Sequence, residues 1–527
     1  MRTSARELLE QLLDTDSFVS WDRPPVTVAA SPQYRDALRK AAVAAGTDES
    51  VLTGEGLLRG RRVAVIACEF GFLAGSVGVA AAERIVSAVE RATELGLPLV
   101  ASPTSGGTRM QEGTVAFVQM VKIAGAVAAH KSAGHPYVVY LRNPTMGGVF
   151  ASWGSLGHIT FAEPGALIGF LGPRVYQALY GRPFPEGVQT AENLYRRGVI
   201  DGVLTIPVFR RIAHRALSVF SGVESPDNVA VQRNYERIAV PRKSTVVDHA
   251  LDANVAGAEG NQLDDARIAD QGSRVWQSVL ISRRPQRPGI RELLRHVTQR
   301  VPLSGTGQGE SDRTAVLALG RFRGQPCVVF GHDRRGQQGE NTMGPAALRE
   351  ARRSMALAQE LRLPLVLVID TVGAALSKEA EERGLAPEIA RCIADLVTLD
   401  TPTVSVLLGQ GTGGGALALL PADRVLAATH AWLAPLPPEG ASAIVFRDTD
   451  HAAELAAAQR ISAADLLADG VVDRIVPELP DAAEEPVDFA RRMVAAIAHE
   501  LAALRARPDA ELRAARQARY RRLGLPG

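Results

Sequence analysis

Two stretches place glycine pairs where an enzyme can work with its backbone. "NPTMGGVFAS" (143–152) sets Gly147 and Gly148 between the apolar run "PYVVYL" (136–141) and a small-residue segment that reads as the start of a helix. "GTGGGALAL" (411–419) sets Gly414, Gly415 and Ala416 after a second apolar run. Amide hydrogens at a helix start have no partner within the helix, and a loop without side chains lets a carbonyl oxygen reach them. That is the chemistry of an oxyanion hole, suited to reactions that build negative charge on oxygen, such as enolate formation from a thioester; one donor contributes about 3 kcal/mol. A third loop, "SPTSGGTRMQEG" (102–113), carries Ser105, Gly106, Gly107 and Arg109. It reads either as a substrate-binding loop whose Arg109 docks a phosphate or carboxylate, or as a tight turn with a solvated arginine. Each glycine pair alone also fits close packing of a helix on a strand, and only their recurrence favours two holes facing each other.

Side-chain chemistry is sparse by comparison. Gly409, Gly411 and Gly414 match G-x-G-x-x-G, but the strand before them falls late in its repeat and no acidic residue follows about 20 positions on, so a dinucleotide site is not supported. Ser155 in "WGSLGH" lacks the G-x-S-x-G elbow. The histidines show no H-x-x-x-H or H-E-x-x-H pair, His158 and His332 read as structural, and no metal site is expected. Backbone donors without an acid or base imply that the base arrives with a substrate or cofactor.

The elements that must position these loops come as a repeat. "LGLPLV" at 95–100 returns as "LRLPLV" at 361–366, the glycine pair 147–148 has its counterpart at 414–415, and Gly198 of "LYRRGVIDGVL" has Gly470 of "LLADGVVDRIV". Three landmarks thus recur in the same order at nearly constant spacing. Each copy alternates β-branched runs ("RVAVIAC", "LPLVASP", "PYVVYL"; "PCVVFG", "LPLVLVID", "PTVSVLL") with Ala-rich stretches of helical spacing, such as 118–129 and 350–361. The pattern predicts an α/β fold in two tandem domains, 1–225 and 271–505, joined by a polar connector over 226–270. The Arg-rich end, 506–527, reads as a solvated terminal helix, with anion binding as the alternative.

With 59 Lys and Arg against 57 Asp and Glu, the chain offers no general attraction to nucleic acid or an anionic membrane. Cys68, Cys327 and Cys392 lie far apart, which suits a reducing compartment rather than a disulfide framework. "MRTSARELLEQLLDTDSF" lacks the apolar core of a secretory signal. No apolar run approaches the roughly 18 residues of a membrane span. A soluble cytoplasmic protein is expected.

These residues resemble the carboxyltransferase component of biotin-dependent acetyl-CoA carboxylase. "YRDAL", "CEFGFLAGSVGVAAAERIVSAVE", "SGGTRMQEG", "NPTMGGVFASWGSLGHITFAEPGALIGFLGPRV" and "AENLYRRGVIDGVL" are similar in order to the bacterial β subunit. "WQSVLISRRPQRP", "ALREARRSMALAQELRLPLVLVIDT", "AEERG", "GQGTGGGALAL" and "PPEGASAI" resemble the α subunit more loosely. The usual D-T-P-G-A-Y-P-G of the α subunit reads "DTVGAALS" here, and the four-cysteine zinc ribbon that often opens the β subunit is absent. The resemblance implies a natural β–α fusion with a crotonase-type ββα-spiral in each half and an active site where an N-half meets a C-half, commonly across a dimer interface. It further implies that Gly147 and Gly148 hold the acyl-CoA thioester oxygen, that Gly414, Gly415 and Ala416 hold the ureido oxygen of biotin, and that biotin itself is the base. Neither a biotinyl Met-Lys-Met motif nor an ATP-grasp carboxylase is present, so a biotin carboxyl carrier protein and a biotin carboxylase are expected as partners, with the chain a homo-dimer or higher homo-oligomer. Two rivals remain: a biotin-independent decarboxylase of a malonyl thioester, and a non-catalytic scaffold within a carboxylase complex.

Overall fold

The computed structural model describes residues 2–28, 30–221 and 274–525. The connector expected at 226–270 lies outside them. The N-half strands are β1 (Val19–Ser20), β2 (Val51–Leu58), β3 (Arg61–Cys68), β4 (Leu99–Ser102), β5 (Tyr137–Leu141), β6 (Thr145–Met146), β7 (Ile159–Ala162), β8 (Ile168–Gly169) and β9 (Gly202–Val203). Seven form one sheet in the order β1-β2-β3-β4-β5-β7-β9, and β6 pairs with β8 in a ribbon of its own. The C-half strands are β10 (Gln299–Leu303), β11 (Ala315–Phe322), β12 (Gln325–His332), β13 (Leu365–Thr371), β14 (Thr403–Thr412), β15 (Arg424–Ala428), β16 (Trp432–Ala434) and β17 (Arg474–Val476). They run β10-β11-β12-β13-β14-β15-β17, with β16 alongside β14.

The two sheets repeat one plan. In each, an antiparallel hairpin (β2–β3; β11–β12) feeds a row of parallel strands. Both hairpins turn on an Arg-Gly pair with positive φ, Arg59–Gly60 and Arg323–Gly324, the backbone that a two-residue hairpin turn demands. In the first, the Arg59 and Gly60 amides donate to the Asp14 carboxylate at 3.0 and 2.7 Å. The parallel strands are buried on both faces, which is why "RVAVIAC" and "LPLVLVID" read as continuous apolar runs rather than alternating ones. Each fully buried Val, Leu or Ile along them contributes about 1.5–3 kcal/mol.

Helices α1 (Val79–Glu94), α2 (Gly113–Ser132), α3 (Ala191–Arg196) and α4 (Ile206–Ser221) belong to the N-half. The C-half has α5 (Pro345–Leu361), α6 (Lys378–Glu382), α7 (Leu385–Thr398), α8 (Gly413–Leu417), α9 (Pro486–Arg505) and α10 (Asp509–Arg522). The stretch Met110–Ser132 is long and apolar enough to cross a membrane despite its interrupting polar residues, but 72% of its most apolar window is buried inside the protein. It is the core helix of the N-half, and it packs on its C-half counterpart α7, where a β-carbon on Gly125 would stand 3.0 Å from Val397. At the start of the same helix, the Thr114 hydroxyl and amide both bond to the Gln459 carbonyl at 3.0 Å. One apolar cluster accordingly runs through both halves, from Val51 to Leu523.

The Arg-rich terminal helix is not solvated on all sides. Arg516 is buried, donating to both Asp423 carboxylate oxygens and to the carbonyls of Leu396, Leu399 and Thr401. Arg521 reaches the N-half, bonding Glu83 and Glu90 of α1, and Glu83 also takes the ammonium of Lys122 at 2.6 Å. The helix docks because its arginines meet carboxylates and open carbonyls that the sequence places far upstream of it.

Candidate active site at the two glycine loops

Gly147 follows β6 with φ +65° and donates its amide to the Gly169 carbonyl at 3.1 Å. The next amide, Gly148, has no acceptor among the described residues. A β-carbon on Gly148 would lie 3.0 Å from the Thr108 hydroxyl and 3.4 Å from Met120. The expected helix start is instead a turn, closed by Ala151 N–H on the Gly147 carbonyl at 2.9 Å and followed by a 3-10 turn at Trp153–Ser155. Only one amide of the pair is therefore free to bind a ligand.

The 102–113 loop runs beside this turn, with the Gly107 Cα 3.5 Å from where a Gly147 β-carbon would be. Its amides are already used: Ser105 donates to the Pro144 carbonyl (2.7 Å), Gly106 to the Ala74 carbonyl (2.8 Å) and Gly107 to the Ser105 hydroxyl (3.0 Å). Ser105 is fully buried. These three residues shape the wall beside Gly147 and offer no donor of their own. Arg109 corrects the expectation more strongly. It is buried and held bidentately by Glu49 (3.0 and 2.5 Å), with the Ser50 hydroxyl and the Ser76 carbonyl taking further bonds. Burial works against its charge, yet the bonds and charge of Glu49 outweigh that and raise its pKa further above the usual arginine value. The donors of this guanidinium are taken up by an internal carboxylate rather than presented to an open surface.

In the C-half, β14 delivers the chain into α8, and Gly413 takes φ +60°. Gly413 is thus the structural counterpart of Gly147, at the same spacing that separates Pro98 from Pro364, and the matching pair is Gly413–Gly414 rather than Gly414–Gly415. The carbonyl of Pro435 stands near Gly413 as that of Phe170 does near Gly147. Gly414, Gly415 and Ala416 are buried in the first turn of α8, while Gly147 and Gly148 are half-buried. A β-carbon on Gly414 would stand 2.8 Å from both Ile389 and the Phe170 ring, and one on Gly415 would stand 3.4 Å from the Ala374 amide. The Thr412 hydroxyl at the head of the loop is buried without a partner among the described residues.

Phe170 joins the two loops. It follows Gly169, whose carbonyl holds Gly147, and its ring covers Gly414. The N-half and C-half glycines are thereby brought together within one chain. The side chains that meet them (Thr108, Met120, Phe170, Ile389, Ala374) carry no acid or base. Ser155 and the two histidines do structural work: Ser155 bonds the Phe150 carbonyl, the His158 Nδ1 accepts from the Tyr137 amide, and buried His332 accepts from the Asp370 amide. Among the described residues no group of three or more His, Cys, Asp or Glu could hold a metal ion.

The family described as carboxyl transferase domain matches residues 2–218, and the one described as acetyl co-enzyme A carboxylase carboxyltransferase-like matches residues 243–524. A probable biotin-dependent acyl-coenzyme A carboxylase beta3 subunit of Mycobacterium tuberculosis is 61% identical over 526 residues, covering 100% of this chain and 99% of that protein. The chain belongs to the acyl-CoA carboxyltransferases of the biotin-dependent carboxylases. The acetyl-coenzyme A carboxylase carboxyl transferase subunits beta/alpha of Salinispora tropica are 37% identical to this carboxyltransferase, over 100% of the chain and 91% of that protein. Among solved structures, the transcarboxylase 12S hexamer with bound methylmalonyl-coenzyme A is 19% identical, with a TM-score of 0.36, covering 96% of this chain and 90% of that one. Each half of the carboxyltransferase has the crotonase-like fold of its family.

Sequence reasoning missed two residues of the site, Phe170 and Glu381. Phe170 sits in "LIGFLGP", an apolar stretch with nothing to mark which ring faces the other half, and Glu381 sits in "AEERG", a motif of the α-subunit likeness in which nothing marks the carboxyl that turns inward.

Proposed function

We propose that this carboxyltransferase moves CO2 from carboxybiotin on a separate carrier protein to a short acyl-CoA, acetyl-CoA giving malonyl-CoA. In this reading the Gly148 amide holds the thioester oxygen, and the Gly414–Ala416 loop, free of side chains through Gly415, holds the ureido oxygen of biotin. The residues fit that group in their donors: the loop bears no side chain at Gly414 and Gly415, and the unpartnered Thr412 hydroxyl offers a further polar contact, while the Phe170 ring over Gly414 would have to move for a ligand ring to reach the loop. When bound, biotin supplies both the carboxyl group and the base for the α-proton, which suits glycine loops whose touching side chains carry no acid or base. The chain's own part is to place two oxygens side by side and to favour charge on the thioester oxygen as it develops. The observation that carries the reading is the free Gly148 amide beside a second glycine loop, with Phe170 as the wall between them.

A short acyl chain is favoured by the relatives named for acetyl-coenzyme A, whereas the relative of higher identity is named only for acyl-coenzyme A. A biotin carboxyl carrier protein, a biotin carboxylase and further copies of this chain complete the proposed assembly, in the cytoplasm. The test is reverse carboxylation: purified chain with malonyl-CoA and free biotin should form carboxybiotin, and acetyl-, propionyl- and longer acyl-CoA acceptors with carboxybiotin should rank acetyl-CoA first. Release of acetyl-CoA from malonyl-CoA without biotin, and no carboxybiotin with it, would replace this reading with a decarboxylase.

A further inference from the structure

A buried carboxyl group of the C-half bonds the N-half segment that holds the Gly147–Gly148 turn. Glu381, on the short C-half helix α6, is 4% exposed. Its Oε1 accepts the Phe170 amide at 2.8 Å and the Gln189 Nε2 at 2.6 Å, and the Leu171 amide also favours its charged form. Gln189 gives its other bond to the Leu171 carbonyl at 2.7 Å and leaves its own side-chain oxygen buried without a partner among the described residues. A buried amide that leaves its acceptor unsatisfied in order to donate twice marks a demand for donors at this point. In the same peptide group as the Phe170 amide, the Gly169 carbonyl receives the Gly147 amide. The chain of contacts therefore runs from a C-half carboxylate through residues 169–171 to the turn that bears the free Gly148 amide.

We propose that Glu381 is a positioning residue for the carboxyl transfer, fixing the Gly147–Gly148 turn through the Phe170 amide and so aiming the Gly148 N–H at the thioester oxygen. This rests on the reading of Gly148 given above. Charged groups surround Glu381 but bond elsewhere. Glu382 pairs with Arg197 at 2.8 Å, Arg383 pairs with Glu379 and Glu310, and Lys378 joins them around a cavity of about 430 Å³. Glu381 itself meets only amides, and burial raises its carboxyl to about 7. A protonated carboxyl is a weaker acceptor than a carboxylate, so the hold on the Phe170 amide and on Gln189 loosens as the pH falls through this range.

The test compares wild type with Glu381→Gln and Glu381→Asp, using malonyl-CoA and free biotin. Glu381→Gln should lower kcat on the order of 10–100-fold, the scale of a small misplacement of a reacting group, with KM for malonyl-CoA and the thermal midpoint little changed. It should also abolish a loss of rate below about pH 7 that wild type shows, and Glu381→Asp should recover part of the rate and that pH limb. Wild-type kcat and pH profile in Glu381→Gln would overturn the proposal and leave the carboxyl transfer standing. Should wild type itself form no carboxybiotin, the functional reading fails instead, and amide hydrogen exchange decides the rest. Faster exchange at Gly147 and Phe170 in Glu381→Gln supports the clamp, and unchanged exchange refutes it.

Discussion

The ring of Phe170 lies on the backbone of Gly414, so an N-half side chain forms the wall of the C-half loop; a β-carbon on that glycine would stand 2.8 Å from ring carbon Cε2. Gly414→Ala should push the ring and Ile389 aside at a cost of about 1–3 kcal/mol. Biotin turnover should fall at least tenfold, more than the loss of folded protein explains. Wild-type turnover in this variant would remove the loop from the site.

Gly148→Val should leave the fold in place, because its backbone needs no positive φ, yet it fills the space between Thr108 and Met120. Valine keeps the amide N–H, but its side chain should keep the thioester oxygen of the proposed reaction from reaching it; losing that hydrogen bond costs about 3 kcal/mol, on the order of 100-fold or more in kcat. Steady-state kinetics beside circular dichroism decide it, and undiminished kcat in a folded variant contradicts the assignment. By contrast, Gly147→Ala meets a left-handed backbone and should destabilise by about 1 kcal/mol through strain.

Arg109→Ala should act on stability, not on substrate affinity. It leaves Glu49 buried without its bidentate partner, a loss of about 3–5 kcal/mol in urea unfolding. A normally stable variant with a raised KM for acyl-CoA would restore Arg109 to the substrate.

His332 should make the fold acid-sensitive. Burial holds its imidazole at about 4, below the ordinary value of 6.5. Between those two pH values the unfolded chain takes up a proton that the native state refuses, so stability drops as pH falls from 6.5 towards 4, by about 3 kcal/mol in all. His332→Asn should flatten that part of the unfolding-versus-pH curve; an unaltered slope would show that the imidazole is not responsible. Glu381 acts in the opposite sense. Its raised pKa makes the native state the better proton binder between about 4.5 and 7, so its contribution weakens the fold as pH rises through that interval.

Arg516→Ala should lower the thermal midpoint by several degrees, since it strands Asp423 and three carbonyls in the interior. An unchanged midpoint would mean that α10 is as dispensable as its composition suggests.

Much of the architecture was legible in the chain. Buried parallel strands demand unbroken apolar runs, and the recurrence of "LPLV" at 97–100 and 363–366 marks β4 and β13, so the doubled α/β plan follows from pattern alone. The glycine pairs were legible as places of close backbone approach. Which amide remains free was not, because that depends on the Gly169 carbonyl, delivered by a two-residue strand too short to carry a period. Arg109 misled because its partner, Glu49, is 60 residues upstream, and sequence shows an arginine's charge but not what has neutralised it. Likewise the burial of Arg516 depends on Asp423, 93 residues earlier.

The packing of α2 on α7, at Gly125 and Val397, joins equivalent helices of two equivalent halves, as in a symmetric dimer whose protomers have become one polypeptide. In a true dimer every substitution would appear twice, and a bulky ring beside one loop would stand beside the other as well. Covalent linkage lifts that constraint: Phe170 occupies one side where Pro435 occupies the other, and each half is free to change without the other.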